Sequence, residues 1–130
     1  MVEVPESHQD LLDDETKAFA YLATSMPDGS PQLTCLWFNM DGDKILFNTG
    51  KERVKTRNVQ KDPRVAIAIY DPENPYRYLQ FRGEIETTTE DADQHVHAVS
   101  RKYTGEDFEV RPGDPRVKYV FKPEHVFAWG

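Results

Sequence analysis

The residues of this sequence best suited to chemistry are cations clustered in one short segment between residues 51 and 64. The chain of 130 residues carries a formal net charge of -7, so a local excess of positive charge stands out. Within the segment only Glu52 and Asp62 oppose it. The basic residues are Lys51, Arg53, Lys55, Arg57, Lys61 and Arg64. Such a cluster predicts either an anion site or a solvated helix face whose charges form i,i+4 pairs.

The surroundings of the cluster favour the anion site. The segment Lys44–Asn48 has the pattern of a strand, and a helix is predicted to follow it as far as Gln60. Thr49 is the predicted N-cap of that helix, and Glu52 completes a capping box with it. Free N–H groups, the helix dipole and nearby cations at such a helix start would bind a phosphate. The segment lacks the glycine spacing of both the Walker loop and the dinucleotide-binding fold.

Alternating apolar residues and turn motifs predict the elements that position this helix. Residues 27–30 and 41–43 have the composition of hairpin turns, and Gly83 inside a long predicted strand indicates a bulge. Residues 31–40 are predicted as one strand, and residues 122–125 as a break between the last two strands. Further helices are predicted from a Ser7 cap and over 91–103. We therefore predict a mostly β, α+β single domain over 1–130: a six-stranded antiparallel split β-barrel (Greek key) with two or three helices.

Side chains that could catalyse a reaction on their own are scarce. His95 and His97 are two positions apart on a predicted helix and point to different faces, so they predict no metal site. Cys35 lies in an apolar strand and is interpreted as a small buried thiol. There is no Gly-x-Ser-x-Gly motif. The pattern is typical of a protein that holds a cofactor which supplies the chemistry.

Composition excludes several classes of protein. A single cysteine indicates a reducing compartment, and the absence of a leader or a long apolar segment predicts a cytoplasmic protein without a membrane partner. The negative net charge disfavours a general nucleic-acid binder, including a small barrel that holds single strands on aromatic residues.

Several short motifs occur in a characteristic order and spacing. They are Ala23–Thr34, Trp37, Asn48-Thr49, Arg53–Asn58, Asp62–Val65, Asn74–Tyr78, Arg82–Glu84 and Tyr103–Gly105. Together they resemble the pyridoxamine 5'-phosphate oxidase-like, FMN-binding split-barrel family. Within that family the chain is similar to the short proteins that bind the deazaflavin coenzyme F420. It is less similar to the true pyridoxamine phosphate oxidases, whose additional residues for the substrate phosphate are not found here.

The resemblance implies a homodimer with one cofactor at each end of the subunit interface. By the same resemblance, Arg53 and Lys55 would hold the cofactor phosphate, with Thr49 and Asn58 nearby. Thr34, Leu36 and Trp37 would line the flat ring, partly through backbone groups. Tyr78 and Gln80 lie on a strand that would reach across the dimer. Many relatives have proline where this chain has Cys35. The full predicted cofactor site is Thr34, Leu36, Trp37, Asn48, Thr49, Lys51, Arg53, Lys55, Asn58, Tyr78 and Gln80, with no catalytic residue identified.

The function implied is that of an F420H2-dependent reductase, which moves hydride to a small electrophilic or unsaturated substrate. An FMN-binding oxidoreductase of the same family and a non-catalytic cofactor carrier or sensor remain the alternatives. Two cations suffice for an FMN phosphate, so the further cations at Arg57, Lys61 and Arg64 favour F420, which adds an acidic oligoglutamate tail.

Overall fold

The computed structural model describes residues 2–130 and contains seven strands and three helices. The strands are β1 (Ala20–Ser25), β2 (Pro31–Leu36), β3 (Asn39–Asp41), β4 (Lys44–Gly50), β5 (Arg64–Asp71), β6 (Asn74–Thr88) and β7 (Arg116–Trp129). The helices are a 3₁₀ helix (Glu6–Leu12), α1 (Val54–Lys61) and α2 (Ala92–Thr104). All strand pairs are antiparallel, in the order β2-β1-β5-β6-β7-β4-β3. This is the predicted split-barrel fold, with seven strands in place of six.

The additional strand arises where the barrel is split. The segment predicted as one strand over 31–40 is divided at Trp37 and Phe38, which connect the two edge strands β2 and β3. The backbone of Phe38 bonds to α2 instead of to a strand: its N–H lies 3.3 Å from the Tyr103 hydroxyl, and its carbonyl accepts from Lys102 Nζ at 2.9 Å. Because α2 satisfies these groups, the strand can end there without leaving buried backbone unpaired.

The predicted bulge at Gly83 is confirmed, and the predicted break in the last strand is wrong. The pairing of β6 with β7 shifts register between Arg82 and Gly83, where Gly83 faces Pro123. A Cβ at Gly83 would collide with the carbonyl of Lys122, so only glycine fits against the partner strand. Pro123 has no N–H to donate to a regular strand pair, but the irregular pairing here requires none. The strand β7 therefore continues through it to Trp129.

The predicted capping box at the start of the basic helix is also wrong. Thr49 lies in β4, paired with Val117, because β4 continues to Gly50 along β7. The helix begins at Val54 after the N-cap Arg53, and no side chain caps it. The turn before the helix is held instead by the Thr56 hydroxyl, which donates to the carbonyl of Gly50 at 3.0 Å.

The N-terminal helix also starts differently from the prediction. It is a 3₁₀ helix whose N-cap is Pro5, and Ser7 lies inside it. The Ser7 hydroxyl is bonded to the neighbouring ring of His8 at 2.8 Å, so it is not available as a cap. None of the helices within residues 2–130 has the length and apolar character needed to cross a bilayer.

Candidate functional site

Four cations of this acidic protein converge on one cavity of about 510 Å³, which we call the cationic cavity. Two carboxylates also line it, so positive charge predominates. The cavity lies between the end of β4, the start of α1 and the segment leading into β7. Its lining residues are Thr49, Arg53, Lys55, Phe108, Glu109, Arg111, Asp114 and Arg116.

Strand pairing brings the distant parts of this cavity together. Gly50, the last residue of β4, pairs with Arg116, the first residue of β7. A Cβ on Gly50 would lie 2.8 Å from Asp114 Oδ1 and 3.1 Å from Arg53 Nε. Glycine therefore lets a carboxylate and a guanidinium pass close over the strand end. The Lys51 N–H extends the pairing by donating to the Pro115 carbonyl at 2.8 Å.

The charges in the cavity destabilise one another. Lys55 is half-buried, and its pKa is lowered from the ordinary lysine value, first by burial and then by repulsion from Arg53 and Arg116. An anion in the cavity would replace the lost hydration and oppose the repulsion. The pKa of Lys55 would then rise, and the anion would be bound by charge-assisted hydrogen bonds.

The predicted phosphate-site residues divide into two groups. Thr49, Arg53 and Lys55 line the cavity together, whereas Lys51 is exposed and outside its lining. Asn48 is also outside the lining, where its side chain bonds to Arg116 and to the Ala92 carbonyl.

Asn58 lies on the buried side of α1, away from the cavity lining. Its Nδ2 donates to Thr24 Oγ1 at 3.0 Å and lies 3.3 Å from both Gln32 Oε1 and Met26 Sδ. Thr24 in turn donates to Gln32 at 3.1 Å. This network joins α1 to β1 and β2, so the contacts of Asn58 are those of a structural residue.

Sequence reasoning missed Arg111 and Arg116, which complete the cation set. They flank a Pro-Gly-Asp-Pro turn at 112–115 that follows several acidic residues. Two arginines on either side of such a turn were the only available signal. Their position beside Arg53 depends on the pairing of β4 with β7, which the local pattern did not reveal.

The residues predicted to line the ring lie at the split of the barrel. Thr34 and Leu36 are half-buried on β2, and Trp37 follows them and stacks on Tyr103 with ring centroids 5.1 Å apart. Thr34 Oγ1 is buried without a hydrogen-bond partner, the only such side-chain nitrogen or oxygen among residues 2–130. A buried hydroxyl without a partner costs free energy, which a polar ring edge could recover. The unpaired hydroxyl could therefore bond to a polar ring, as the cations of the cavity could bind a phosphate.

Tyr78 and Gln80 occupy a different surface, the outward side of the sheet, which we call the aromatic face. Its rings contact one another in succession from Tyr21 through Tyr70 and Tyr78 to Phe127 and Trp129. An apolar groove of about 790 Å³ runs along it, lined in part by Tyr21, Leu33, Ala68, Tyr70 and Gln80. A contiguous, exposed surface of apolar side chains is typical of an interaction site.

Cys35 belongs to this face as well, which corrects its interpretation as a buried thiol. It is exposed and lies opposite Tyr21 on the neighbouring strand. The alternation of β2 places Leu33 and Cys35 outward, with Thr34 and Leu36 on the other side. Partial burial still raises the pKa of the Cys35 thiol above its ordinary value.

The two histidines of α2 have different hydrogen-bond partners. His95 is buried and bonds to Asn39 and Asn48, while His97 Nδ1 accepts from the Phe108 N–H at 3.1 Å. Burial lowers the pKa of His95 to about 4. In the part of the chain that the structure describes, no three His, Cys, Asp or Glu side chains converge as metal ligands would.

Comparison with known proteins identifies the family and the fold. The family model described as pyridoxamine 5'-phosphate oxidase matches residues 4–130. A solved structure named F420 reductase is 35% identical over 95% of this chain and 98% of its own, with a TM-score of 0.83. A conserved hypothetical protein from Mycobacterium tuberculosis is 23% identical over 98% of this chain and 86% of its own, with a TM-score of 0.76.

A third structure, a proposed pyridoxamine 5'-phosphate oxidase from Listeria innocua, is 20% identical over 95% of both chains, with a TM-score of 0.73. At these lower identities the likeness concerns the fold. The family model, however, spans nearly the whole chain and agrees with the motifs that carried the resemblance. The chain belongs to the pyridoxamine 5'-phosphate oxidase family.

Proposed function

We propose that the protein is an F420-dependent reductase that acts as a homodimer on a small electrophilic or unsaturated substrate. The observation that carries the proposal is the cationic cavity, in which mutual repulsion and burial destabilise the charge of Lys55. The 35% identity to a protein named F420 reductase supports the choice of cofactor. The reduced deazaflavin, when bound, supplies a hydride, and the chain itself binds and orients it.

The roles of the binding residues follow from their surroundings. Arg53 and Lys55 would bind the cofactor phosphate, since both line the cavity. The orphan hydroxyl of Thr34 and the neighbouring segment Leu36–Trp37 would contact the ring. The stack of Trp37 on Tyr103 would hold this segment in place beside the ring.

The aromatic face is the proposed dimer interface. Its apolar side chains include Leu33, Phe127 and Trp129, which are 66%, 50% and 59% exposed in one protomer. A second copy would bury them against the same face, as an isologous interface requires. Tyr78 and Gln80 lie on this face, so they are the residues proposed to reach the partner's cofactor.

The choice of F420 over FMN depends on cations outside the cavity. Arg57 and Lys61 are exposed four residues apart on α1, and the exposed N-cap Arg53 precedes Arg57 by the same spacing, so the three form a ridge that leads away from the cavity. An acidic tail could follow this ridge, whereas FMN has no group to reach it. Arg64 is not part of the ridge, because its guanidinium is paired with Asp62 at 2.9 Å.

A fluorescence titration with F420 and with FMN tests the proposal. Arg53→Ala and Lys55→Ala should each weaken binding of the preferred cofactor by about ten- to a hundred-fold, as expected for loss of a charge-assisted bond. Lys122→Ala is the matched control, since Lys122 is an exposed lysine paired with Glu86 outside the cavity. Unchanged affinity in both cavity variants would contradict the phosphate site.

Two further results separate the alternatives. Tight binding of FMN without binding of F420 would favour the FMN-dependent oxidoreductase. Binding of F420H2 without its oxidation by any of a panel of enones, quinones and nitro compounds would favour the carrier or sensor. The reaction itself is followed by the loss or gain of deazaflavin absorbance.

A further inference from the structure

A chain of hydrogen bonds leads from the split of the barrel to the cationic cavity. His95 Nε2 lies 2.8 Å from Asn39 Oδ1, and His95 Nδ1 lies 3.1 Å from Asn48 Nδ2. Arg116 Nε then donates to Asn48 Oδ1 at 2.9 Å. This series of hydrogen bonds joins β3, α2, β4 and β7 through side chains alone, and Arg116 at its end lines the cavity.

Donor and acceptor chemistry permits one arrangement of protons in this chain. Because a guanidinium only donates, Asn48 Oδ1 accepts and the Asn48 amide nitrogen donates. One amide proton goes to the Ala92 carbonyl at 2.8 Å, and the other points to His95 Nδ1. His95 is therefore neutral, with its proton on Nε2, and donates to Asn39. Its low pKa, about 4, agrees with this assignment.

Arg116 is held firmly but uses only part of its donor capacity. Its side chain is 8% exposed, its Nη1 donates to Asp114 at 2.9 Å, and the Phe108 ring covers its guanidinium at 4.9 Å. A guanidinium has five N–H groups. Within residues 2–130, the bonds to Asn48 and Asp114 account for two of them. A nearly buried guanidinium with free donors beside a cavity is suited to an anion.

We propose that Arg116 is a further ligand of the anionic group that enters the cationic cavity, and that Asn48 and His95 are positioning residues that orient it. The anion would be the phosphate or a carboxylate of the cofactor, so its identity rests on the proposed function. Asn48 then acts through Arg116 and does not touch the cofactor, which revises its predicted role. His95 acts one step further away, through Asn48.

Binding of inorganic pyrophosphate, FMN and F420 to full-length variants tests the proposal. Arg116→Gln should weaken pyrophosphate and cofactor binding by about ten-fold or more, and Arg116→Lys, which keeps the charge but not the fork, by about five-fold. Lys122→Gln is the control for loss of one exposed charge, because Lys122 lies outside the cavity lining. Thermal melts establish that each variant is folded.

The positioning role has a spectroscopic readout of its own. Asn48→Asp keeps an acceptor for Arg116 but turns a carboxylate oxygen toward His95 Nδ1. We expect the His95 pKa, followed by NMR, to rise by more than one unit, because an adjacent carboxylate favours the imidazolium. Asn48→Leu should lower pyrophosphate affinity by about three- to ten-fold, since Arg116 loses its anchor.

The possible outcomes distinguish this inference from the proposed function. If Arg116→Gln binds pyrophosphate as tightly as the wild type while Lys55→Ala loses affinity, the inference is overturned and the proposed function stands. Binding of pyrophosphate but of neither cofactor by the wild type, with loss in Arg116→Gln, would support the inference and overturn the function. An unmoved His95 pKa in Asn48→Asp would overturn the positioning role. Absence of any pyrophosphate or cofactor binding would overturn both.

Discussion

The cationic cavity and the aromatic face lie at opposite ends of β7, and each lacks a different kind of partner. At the Arg116 end, cations gather with too few carboxylates to neutralise them. At the Trp129 end, large apolar side chains face outward. One region is destabilised by charge and the other by exposed apolar area, so the first is suited to an anion and the second to an apolar partner surface.

The two regions also differ in what fixes their geometry. The aromatic face depends on strand register, with Tyr21, Ala68, Gln80 and Phe127 in one row across neighbouring strands. The cavity depends on side-chain hydrogen bonds and on a glycine that allows close approach. Substitutions on one should therefore leave the other folded, and this separability can be tested.

The largest effect is expected from Ala68→Arg, at the centre of the aromatic face. A charge buried without a partner would cost about 4 kcal/mol of dimerisation free energy, or roughly a thousand-fold in Kd. Sedimentation equilibrium measures the change, with Glu90→Arg at an exposed position as the control. Pyrophosphate binding should survive in the resulting monomer. A dimer of unchanged affinity would show that another surface mediates association.

Cys35 provides an independent readout of the same interface. It lies on the aromatic face in one protomer, exposed beside Tyr21. If the aromatic face is the dimer interface, we expect its thiol to react about ten-fold or more faster in Ala68→Arg than in the wild type, because reagents need access to the thiolate. Equal labelling rates, measured at one pH with a chromogenic disulfide, would place Cys35 outside the interface.

The next largest effect is expected from Asn58, which was predicted to bind the cofactor but has the contacts of a structural residue. Asn58→Ala removes the donor to Thr24 Oγ1 and one of the two donors to the side-chain oxygen of Gln32, and it should cost about 2–3 kcal/mol of unfolding free energy. Urea unfolding measures it, with Gln60→Ala on the exposed side of α1 as the control. Pyrophosphate affinity should not change. Lost affinity with intact stability would restore Asn58 as a phosphate ligand.

The buried His95, in the series of hydrogen bonds behind the cavity, predicts that stability depends on pH. The His95 pKa is about 4 in the folded protein, below its ordinary value of 6.5. Between these values the unfolded chain binds the proton and the folded chain does not. Stability contributed by neutral His95 is therefore complete above pH 6.5 and declines toward pH 4, with a slope of up to about 1.4 kcal/mol per pH unit. The difference between wild type and His95→Gln, measured by urea unfolding, isolates this slope. An equal slope in the variant would contradict the assignment.

The smallest effect is expected on the ridge of α1. Arg57→Ala and Lys61→Ala should each weaken F420 binding by about two- to four-fold and reduce its sensitivity to salt, because exposed charges act at long range and are screened. FMN binding should be unchanged. Arg64→Ala is the control, since Arg64 is paired with Asp62. Equal effects on both cofactors would show that the ridge does not contact an acidic tail.

Local patterns in the sequence determined much of the fold. Alternation of apolar residues gave most strands, the amphipathic period gave α2, and Gly83 gave the bulge, because each signal is carried by neighbouring residues. The cluster of cations around Arg53 likewise pointed to an anion site in an acidic chain. The order of short motifs indicated the family, which the match over residues 4–130 confirmed.

Only the tertiary structure decided where β4 ends and which cations meet. Pairing with β7 draws Thr49 and Gly50 into the sheet, so the helix starts later than its local capping signal predicted. The same pairing brings Arg116 to the cavity, and burial turns Asn58 toward β1 and β2. These outcomes depend on contacts between residues far apart in sequence, whose energies outweigh local propensity and leave no local pattern.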